Sequence, residues 1–312
     1  MIRFFTLRLW LVLCVLVPVL FSSCKDFSGS QTVPSYIRID SIGLSCDYYT
    51  YGANTSNFTD AFVIVGGFEA YVELPAVVPI LEEGPQRVII MPGIQLNGIK
   101  SSRVSYPFVQ QIVYPSLNLI PDSIVTIHPM ASYYSPSDNF HVRWIEDFEG
   151  GAVTLQRTAA SDTTLMRASG PEAWHDPEGI YSSRSGKVVL TSDTMQFELE
   201  TTVAFEDLPN SGEHNSSCIL EMDYKTTDTI EVGLNFYQTG VKTIWPLVRV
   251  RPNCEPGSDP DRWNKIYVNI GPSLLDNKDA DNVTLTISSW PTRNEGTQYF
   301  YFDNLKIIYR EQ

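Results

Sequence analysis

Ile230-Glu231-Val232-Gly233-Leu234-Asn235-Phe236 is the stretch on which the fold class turns. Large apolar side chains occupy every second position, with Glu, Gly and Asn between them. A period of two sends one set to each face of an extended chain, so the stretch reads as a half-buried β-strand. The same period returns on both sides of it. Phe197, Leu199, Val203 and Phe205 alternate with Gln196, Glu198, Glu200 and Thr202; Ile266, Val268 and Ile270 alternate with Tyr267 and Asn269; Val283, Leu285 and Ile287 alternate with Thr284, Thr286 and Ser288. The residues are the β-branched and aromatic types that suit a pleated surface. Outside the N-terminus no stretch of helical length carries a helical period. Many short strands separated by Gly, Pro, Asn and Asp predict an all-β protein built from sandwiches, not from βαβ units. Rossmann, P-loop and TIM-barrel readings are excluded, and none of their glycine motifs is present.

The chain has 312 residues, which suits about two domains of ~150 residues each. Its balance of 43% hydrophobic and 19% charged residues is that of a globular protein. It carries 36 acidic against 22 basic residues, a formal net charge of -14. Phosphate binding needs clustered Lys and Arg, and no such cluster occurs, so nucleic acid is not expected as a partner.

The loop-forming cluster Ser135-Pro136-Ser137-Asp138 divides the chain into residues 36–138 and 139–312. The first part has strands near Ile37–Ile42, Ala61–Val65, Ala70–Leu74, Arg87–Met91 and Ile124–Ile127, with Gly66-Gly67 as a hairpin turn. From Phe62-Val63-Ile64-Val65-Gly66-Gly67, through Leu74-Pro75, to Glu83-Gly84-Pro85-Gln86-Arg87-Val88-Ile89-Ile90 it resembles a PEGA-type domain. That resemblance implies a small β-sandwich acting as a spacer beneath a working module, with no catalytic residue. The second part opens with Trp144-Ile145-Glu146-Asp147-Phe148-Glu149-Gly150-Gly151 and closes with Tyr299-Phe300-Tyr301-Phe302-Asp303-Asn304-Leu305-Lys306-Ile307-Ile308. Those ends resemble the first and last strands of galactose-binding-like jelly rolls, modules appended to bacterial glycan-processing proteins. The expected fold is therefore all-β: a small N-terminal β-sandwich followed by a C-terminal jelly-roll β-sandwich.

The N-terminus carries Arg3 and Arg8, then the uncharged apolar run Leu9–Phe21, then Ser22, Ser23 and Cys24. The run is short for a ~30 Å hydrocarbon core and reads as a signal-peptide core. Small residues before a Cys resemble the lipobox of Gram-negative lipoproteins. The resemblance implies cleavage of residues 1–23, acylation of Cys24 and anchoring in the outer membrane. Lys25-Asp26 resembles a surface-export signal, which implies display at the cell surface. Residues 24–35 are small and polar and serve as a flexible tether. Loss of Arg3 and Arg8 leaves the mature chain two charges more acidic.

Candidate sites follow from side-chain chemistry. Jelly rolls of this kind often hold a structural Ca²⁺ where first and last strands meet; the matching positions are Asp147, Glu149 and Asp303. Glycan binding needs aromatic platforms beside polar groups, because sugar faces are apolar and sugar edges polar. Trp174 with Tyr181 is the first candidate pair. Trp245 before Pro246, Trp263 after Asp259-Pro260-Asp261-Arg262, and Trp290 before Pro291 complete the set, all expected in loops. Catalytic residues are not evident. His128, His141, His175 and His214 show no metal spacing, and no Gly-x-Ser-x-Gly elbow occurs. Of the cysteines left after Cys14 and Cys24, Cys218 and Cys254 form the one within-domain disulfide candidate; the other reading is three buried thiols with Cys46. Asp40-Ser41-Ile42, Asp122-Ser123-Ile124, Asp162-Thr163-Thr164, Asp193-Thr194-Met195 and Asp228-Thr229-Ile230 resemble the O-glycosylation signal of one Gram-negative phylum. That marks Ser41, Ser123, Thr163, Thr194 and Thr229 as acceptors. Such triplets also begin strands, where a turn Asp precedes a β-branched run. The function expected from all this is a lipid-anchored surface protein displaying a non-catalytic glycan-binding module. The alternatives are a structural subunit of an envelope complex or fimbria-like array and, last, a glycan hydrolase.

Overall fold

The computed structural model describes residues 33–175, 182–212, 217–254, 262–290 and 296–311. The N-terminal strands are β1 (Ser35–Ile39), β2 (Gly43–Leu44), β3 (Asp60–Val65), β4 (Phe68–Glu73), β5 (Ala76–Ile80), β6 (Gly84–Gln95), β7 (Arg103–Ser105), β8 (Ile112–Leu119), β9 (Ile124–Ile127) and β10 (Met130–Ala131). They form a five-stranded sheet, β4-β3-β6-β7 with β8 also on β6, a three-stranded sheet β5-β1-β9, and the pair β2-β10. Val65 pairs with Phe68 across Gly66-Gly67, and Gly66 takes φ +57°, a conformation glycine adopts without steric cost. Ile37, Val63, Val78, Ile90 and Ile127 fill the core between these sheets.

Eleven strands follow: β11 (Phe140–Glu146), β12 (Leu155–Arg157), β13 (Met166–Ser169), β14 (Arg184–Leu190), β15 (Phe197–Thr201), β16 (Ser217–Thr226), β17 (Ile230–Gln238), β18 (Val241–Val250), β19 (Asn264–Asn269), β20 (Asn282–Ser289) and β21 (Gln298–Arg310). One sheet runs β13-β14-β21-β16-β19, with β11 against the second half of β21; the other runs β12-β15-β20-β17-β18. Every pairing in both is antiparallel. From β14 to β21 the chain passes repeatedly from one sheet to the other, the jelly-roll arrangement. Ile230, Val232, Leu234 and Phe236 meet Leu285, Ile287, Phe300 and Phe302 in the core. First and last strands lie side by side, Glu146 opposite Leu305.

Several local expectations shift. β15 ends at Thr201, yet Phe205 stays buried through an isolated bridge to Val283. Trp245 is not at a turn but within β18. That strand is an edge, so Pro246 removes no needed ladder bond, and a register shift between Val232 and Gly233 absorbs it. Trp245 faces Phe236 edge-on and packs against the core. Cys46, Cys218 and Cys254 are all free thiols, Cys218 wholly buried among core side chains, so the Cys218–Cys254 pairing does not form.

The outer face of the first sheet is covered by the N-terminal strands. Ile219, Tyr267 and Ile308 join the N-terminal core, whereas their neighbours Leu220 and Ile307 point into the jelly roll. Charged groups are buried in the same seam. Glu221 accepts hydrogen bonds from Tyr106 and, at 2.9 Å, from Tyr133. Lys265 Nζ lies 3.1 Å from Glu221 and 3.2 Å from Asp223. Lys306 Nζ donates to the carbonyls of Tyr51 and Ala53 and lies 3.8 Å from Glu221.

Candidate functional site

The seam opens at one side into a cleft of about 410 Å³. One wall is the loop Asn54, Thr55, Ser56 and Asn57 with Met130 of β10. The other is Trp174, Trp263 and Asn264, with Asp223 and Lys265 at its base. The fold thus brings Trp174 and Trp263 to one cavity although 89 positions separate them in sequence.

The Trp263 indole and the Trp174 backbone are each held in place. Trp263 meets the buried Tyr301 ring edge-on at 6.4 Å, and Lys225 Nζ sits 5.2 Å from the Trp263 centroid and 4.3 Å from that of Tyr301. The backbone N–H of Trp174 donates to Ser185 Oγ at 2.8 Å, and Ser185 Oγ donates to Asp303 Oδ2. Asp303 therefore works through Ser185 to fix Trp174. Burial pushes the Asp303 carboxyl well above its ordinary range; hydrogen bonds from Ser185 and the Asn304 N–H oppose this, and the charges of Asp223 and Asp147 reinforce it. Opposite the indoles, Thr55 Oγ1 is buried without a hydrogen-bond partner among the described residues. Asn57 closes one end of the cleft: its N–H donates to Tyr267 Oη, and its Nδ2 to Asn264 Oδ1 and the Lys265 carbonyl, each at 3.0 Å.

The remaining predicted residues fall elsewhere. Trp245 packs inward, and Trp290 stands 49% exposed just beyond β20, away from the cleft lining. Cys24 and Tyr181 lie outside the described residues. Asp147 and Asp303 are near enough to interact, but Asp147 accepts from Tyr48 Oη at 2.7 Å, and Glu149 accepts from the N–H groups of Ser183 and Arg184. Among the described residues no group of three or more His, Cys, Asp or Glu is placed to hold a metal. Of the acceptor positions, Ser41 is exposed, while Ser123, Thr163, Thr194 and Thr229 are half-buried. Ser123 and Thr229 directly precede β9 and β17, and Thr194 Oγ1 accepts from the Thr191 N–H in the β14–β15 turn.

Sequence reasoning missed a second polar surface, the outer face of the second sheet. Glu200 there accepts from Tyr237 Oη at 2.6 Å, Thr284 Oγ1 at 2.5 Å and Lys242 Nζ at 3.0 Å. Burial raises its carboxyl pKa, and those hydrogen bonds outweigh burial and leave it lowered. The alternation that gives β15, β17 and β20 places these residues on one face, but strand period alone does not distinguish a wet face from a site.

The strand order defines a two-sheet β-sandwich of jelly-roll type with a smaller all-β body against one sheet. No family model matches the sequence, and no curated protein does. Among solved structures, the chain is similar to a carbohydrate-binding module of the β-sandwich superfamily whose study concerns promiscuous specificity (12% identity, 80% of this chain and 84% of that one, TM-score 0.37). It is also similar to the family 11 carbohydrate-binding module of a cellulosomal cellulase of Clostridium thermocellum (14% identity, 54% and 93% covered, TM-score 0.34). A third is a family 29 carbohydrate-binding module variant complexed with mannohexaose (10% identity, 54% and 90% covered, TM-score 0.30).

Proposed function

We propose that the protein is a non-catalytic glycan-binding module held on the cell envelope by a lipid at Cys24, with the N-terminal strands as a PEGA-like spacer and one wall of the site. The observation that carries the glycan reading is the convergence of Trp174 and Trp263 on one cleft opposite the Thr55 hydroxyl, unpartnered among the described residues, and the Asn54 and Asn57 side chains. Indole faces receive the C–H face of a pyranose while amides and hydroxyls take its edge. Calorimetric titration of the full chain against a panel of oligosaccharides tests it. Trp174→Ala and Trp263→Ala are expected to weaken binding at least about tenfold each, the loss of roughly 1.4 kcal/mol. Tyr237→Ala, on the outer face of the second sheet, is expected to change little. Loss of binding in Tyr237→Ala alone would move the site to that face. Absence of any sugar binding, with a stable protein co-purifying, would favour the assembly-subunit reading. Sugar turnover would favour the hydrolase reading.

Lipid anchoring and glycosylation of Ser41, Ser123, Thr163, Thr194 or Thr229 belong to the same proposal. Intact mass spectrometry of the native protein reads both. The expected mass lacks residues 1–23 and adds acyl chains and sugar units; the bare full-length polypeptide mass would remove both ideas.

A further inference from the structure

The Trp174–Trp263 cleft does not stop at Asn57 and Asn264. These two residues and Lys265 also line a second cleft, of about 720 Å³, at the open edge of the jelly roll. There β18 and β19, each the last strand of its sheet, part from one another. The tip of the β6–β7 hairpin meets this edge: the Asn97 N–H donates to the Tyr267 carbonyl at 2.7 Å, and Asn97 Oδ1 accepts from the Asn269 N–H at 2.8 Å.

The charge of this second cleft runs against the composition of the chain. With 36 acidic and 22 basic residues overall, carboxylates should line a large cavity more often than not. The charged groups that line this one are Arg249, Arg251 and Lys265, and no carboxylate among the described residues joins them. Two of the three cations are neutralised. Lys265 faces Glu221 and Asp223, and Arg249 Nε lies 2.9 Å from Glu231. Arg251 has no ion pair or hydrogen bond among the described residues. An unpaired guanidinium in a cleft is a planar five-donor fork, a shape that fits a carboxylate or sulfate through two parallel hydrogen bonds.

We propose that the two clefts form one groove for an anionic oligosaccharide, with sugar rings against Trp174 and Trp263 and a carboxylate or sulfate several units along the chain held by Arg251. This rests on the glycan reading above and names the ligand class for it. Each cleft alone falls within the ~300–1,000 Å³ of ordinary ligand pockets, so the pair suits an oligomer rather than a single sugar. Asn57, Gln95 and Asn97 line the path between the ends, and the Gln95 amide, Asn57 Oδ1 and Asn97 Nδ2 supply hydrogen bonds for ring hydroxyls.

The test titrates the full chain with a tetragalacturonate, a sulfated galactose tetrasaccharide and an uncharged galactotetraose, with galacturonate monomer and inorganic sulfate as controls. At low salt one or both charged tetrasaccharides are expected to bind about tenfold tighter than the uncharged one, the value of one charge-assisted contact. Added salt should shrink that advantage. Arg251→Gln should abolish the advantage, Arg251→Lys should restore part of it, and Trp263→Ala should weaken charged and uncharged ligands alike. Equal, salt-independent binding of all three tetrasaccharides, still weakened by Trp263→Ala, would overturn the anionic groove while leaving glycan binding standing. An advantage that survives Arg251→Gln would overturn it too, as would monomer or free sulfate binding as tightly as the oligomers. If no saccharide binds, both readings fall together.

Discussion

Asp303 shows how a residue type legible in sequence takes on a different task in three dimensions. From the sequence it is expected as a cation ligand, but its oxygens accept from Ser185 and the Asn304 N–H, and through Ser185 it fixes the Trp174 backbone. Burial makes its ionised form costly, so its folded-state pKa lies above the ordinary 3.8. A raised carboxyl lends stability only while protonated: the contribution is full below 3.8 and is lost as pH rises through the folded-state value. Asp303→Asn keeps an acceptor and removes the charge. Its melting temperature is therefore expected to exceed that of the wild type at pH 7 and to converge with it near pH 3; a lower Tm at pH 7 would show that the charge itself is needed. The two indoles were legible as candidates, because a Trp flanked by Pro, Gly or Asp reads as a loop residue. Trp245 carries the same signal beside Pro246 and yet packs inward, since an edge strand accepts a proline where an interior strand would not. No local pattern separates those cases. Gly186 is a quieter example: a Cβ there would fall 2.5 Å from the ring of the fully buried Phe148, so packing across the sheet demands the glycine, not a turn.

At the scale of elements, the alternation of β17 and β20 was sufficient to place them, because one face of each meets the core and the other is polar. β16 hides its role. Ser217–Thr226 is buried along nearly its whole length, with Leu220 and Met222 toward the jelly-roll core and Ile219, Glu221 and Asp223 toward the N-terminal strands. Nothing local in the sequence marks the acids at 221 and 223 as interior; only the covering body makes them so. Burial pushes the Glu221 carboxyl up, but Lys306, Lys265 and the hydroxyls of Tyr106 and Tyr133 outweigh it, so its pKa lies below the ordinary 4.5. A lowered carboxyl gives stability that is present above 4.5 and lost as pH falls through the folded-state value. Glu221→Gln should therefore unfold more easily than the wild type in denaturant at pH 7, by several kcal/mol because Lys306 and Lys265 lose their shared counter-charge, roughly 3–5 kcal/mol for such a broken buried pair. The difference should narrow as the solution is acidified below 4.5. Equal midpoints at pH 7 would mean the seam does not depend on that charge.

For the whole molecule, the sequence distinguished two all-β regions but not that one covers a face of the other. The division at 135–138 suggested a spacer and a separate working module. Between the two parts, Asn57 and Asn97 of the first stitch to Tyr267, Asn264 and Asn269 of the second, and the candidate cleft takes a wall from each. Contacts of that kind join positions 207 residues apart, beyond the reach of any local period. Lys265, at the base of the cleft, is in turn paired with Glu221 and Asp223, all three with almost no exposure to water. Timing is a further consequence. Tyr301, which backs Trp263, sits on β21, whereas Asn57 is made near the beginning; a nascent or clipped chain holds parts of the cleft but not the whole. The cleft is complete only once the last strand has folded into place beside the first loops.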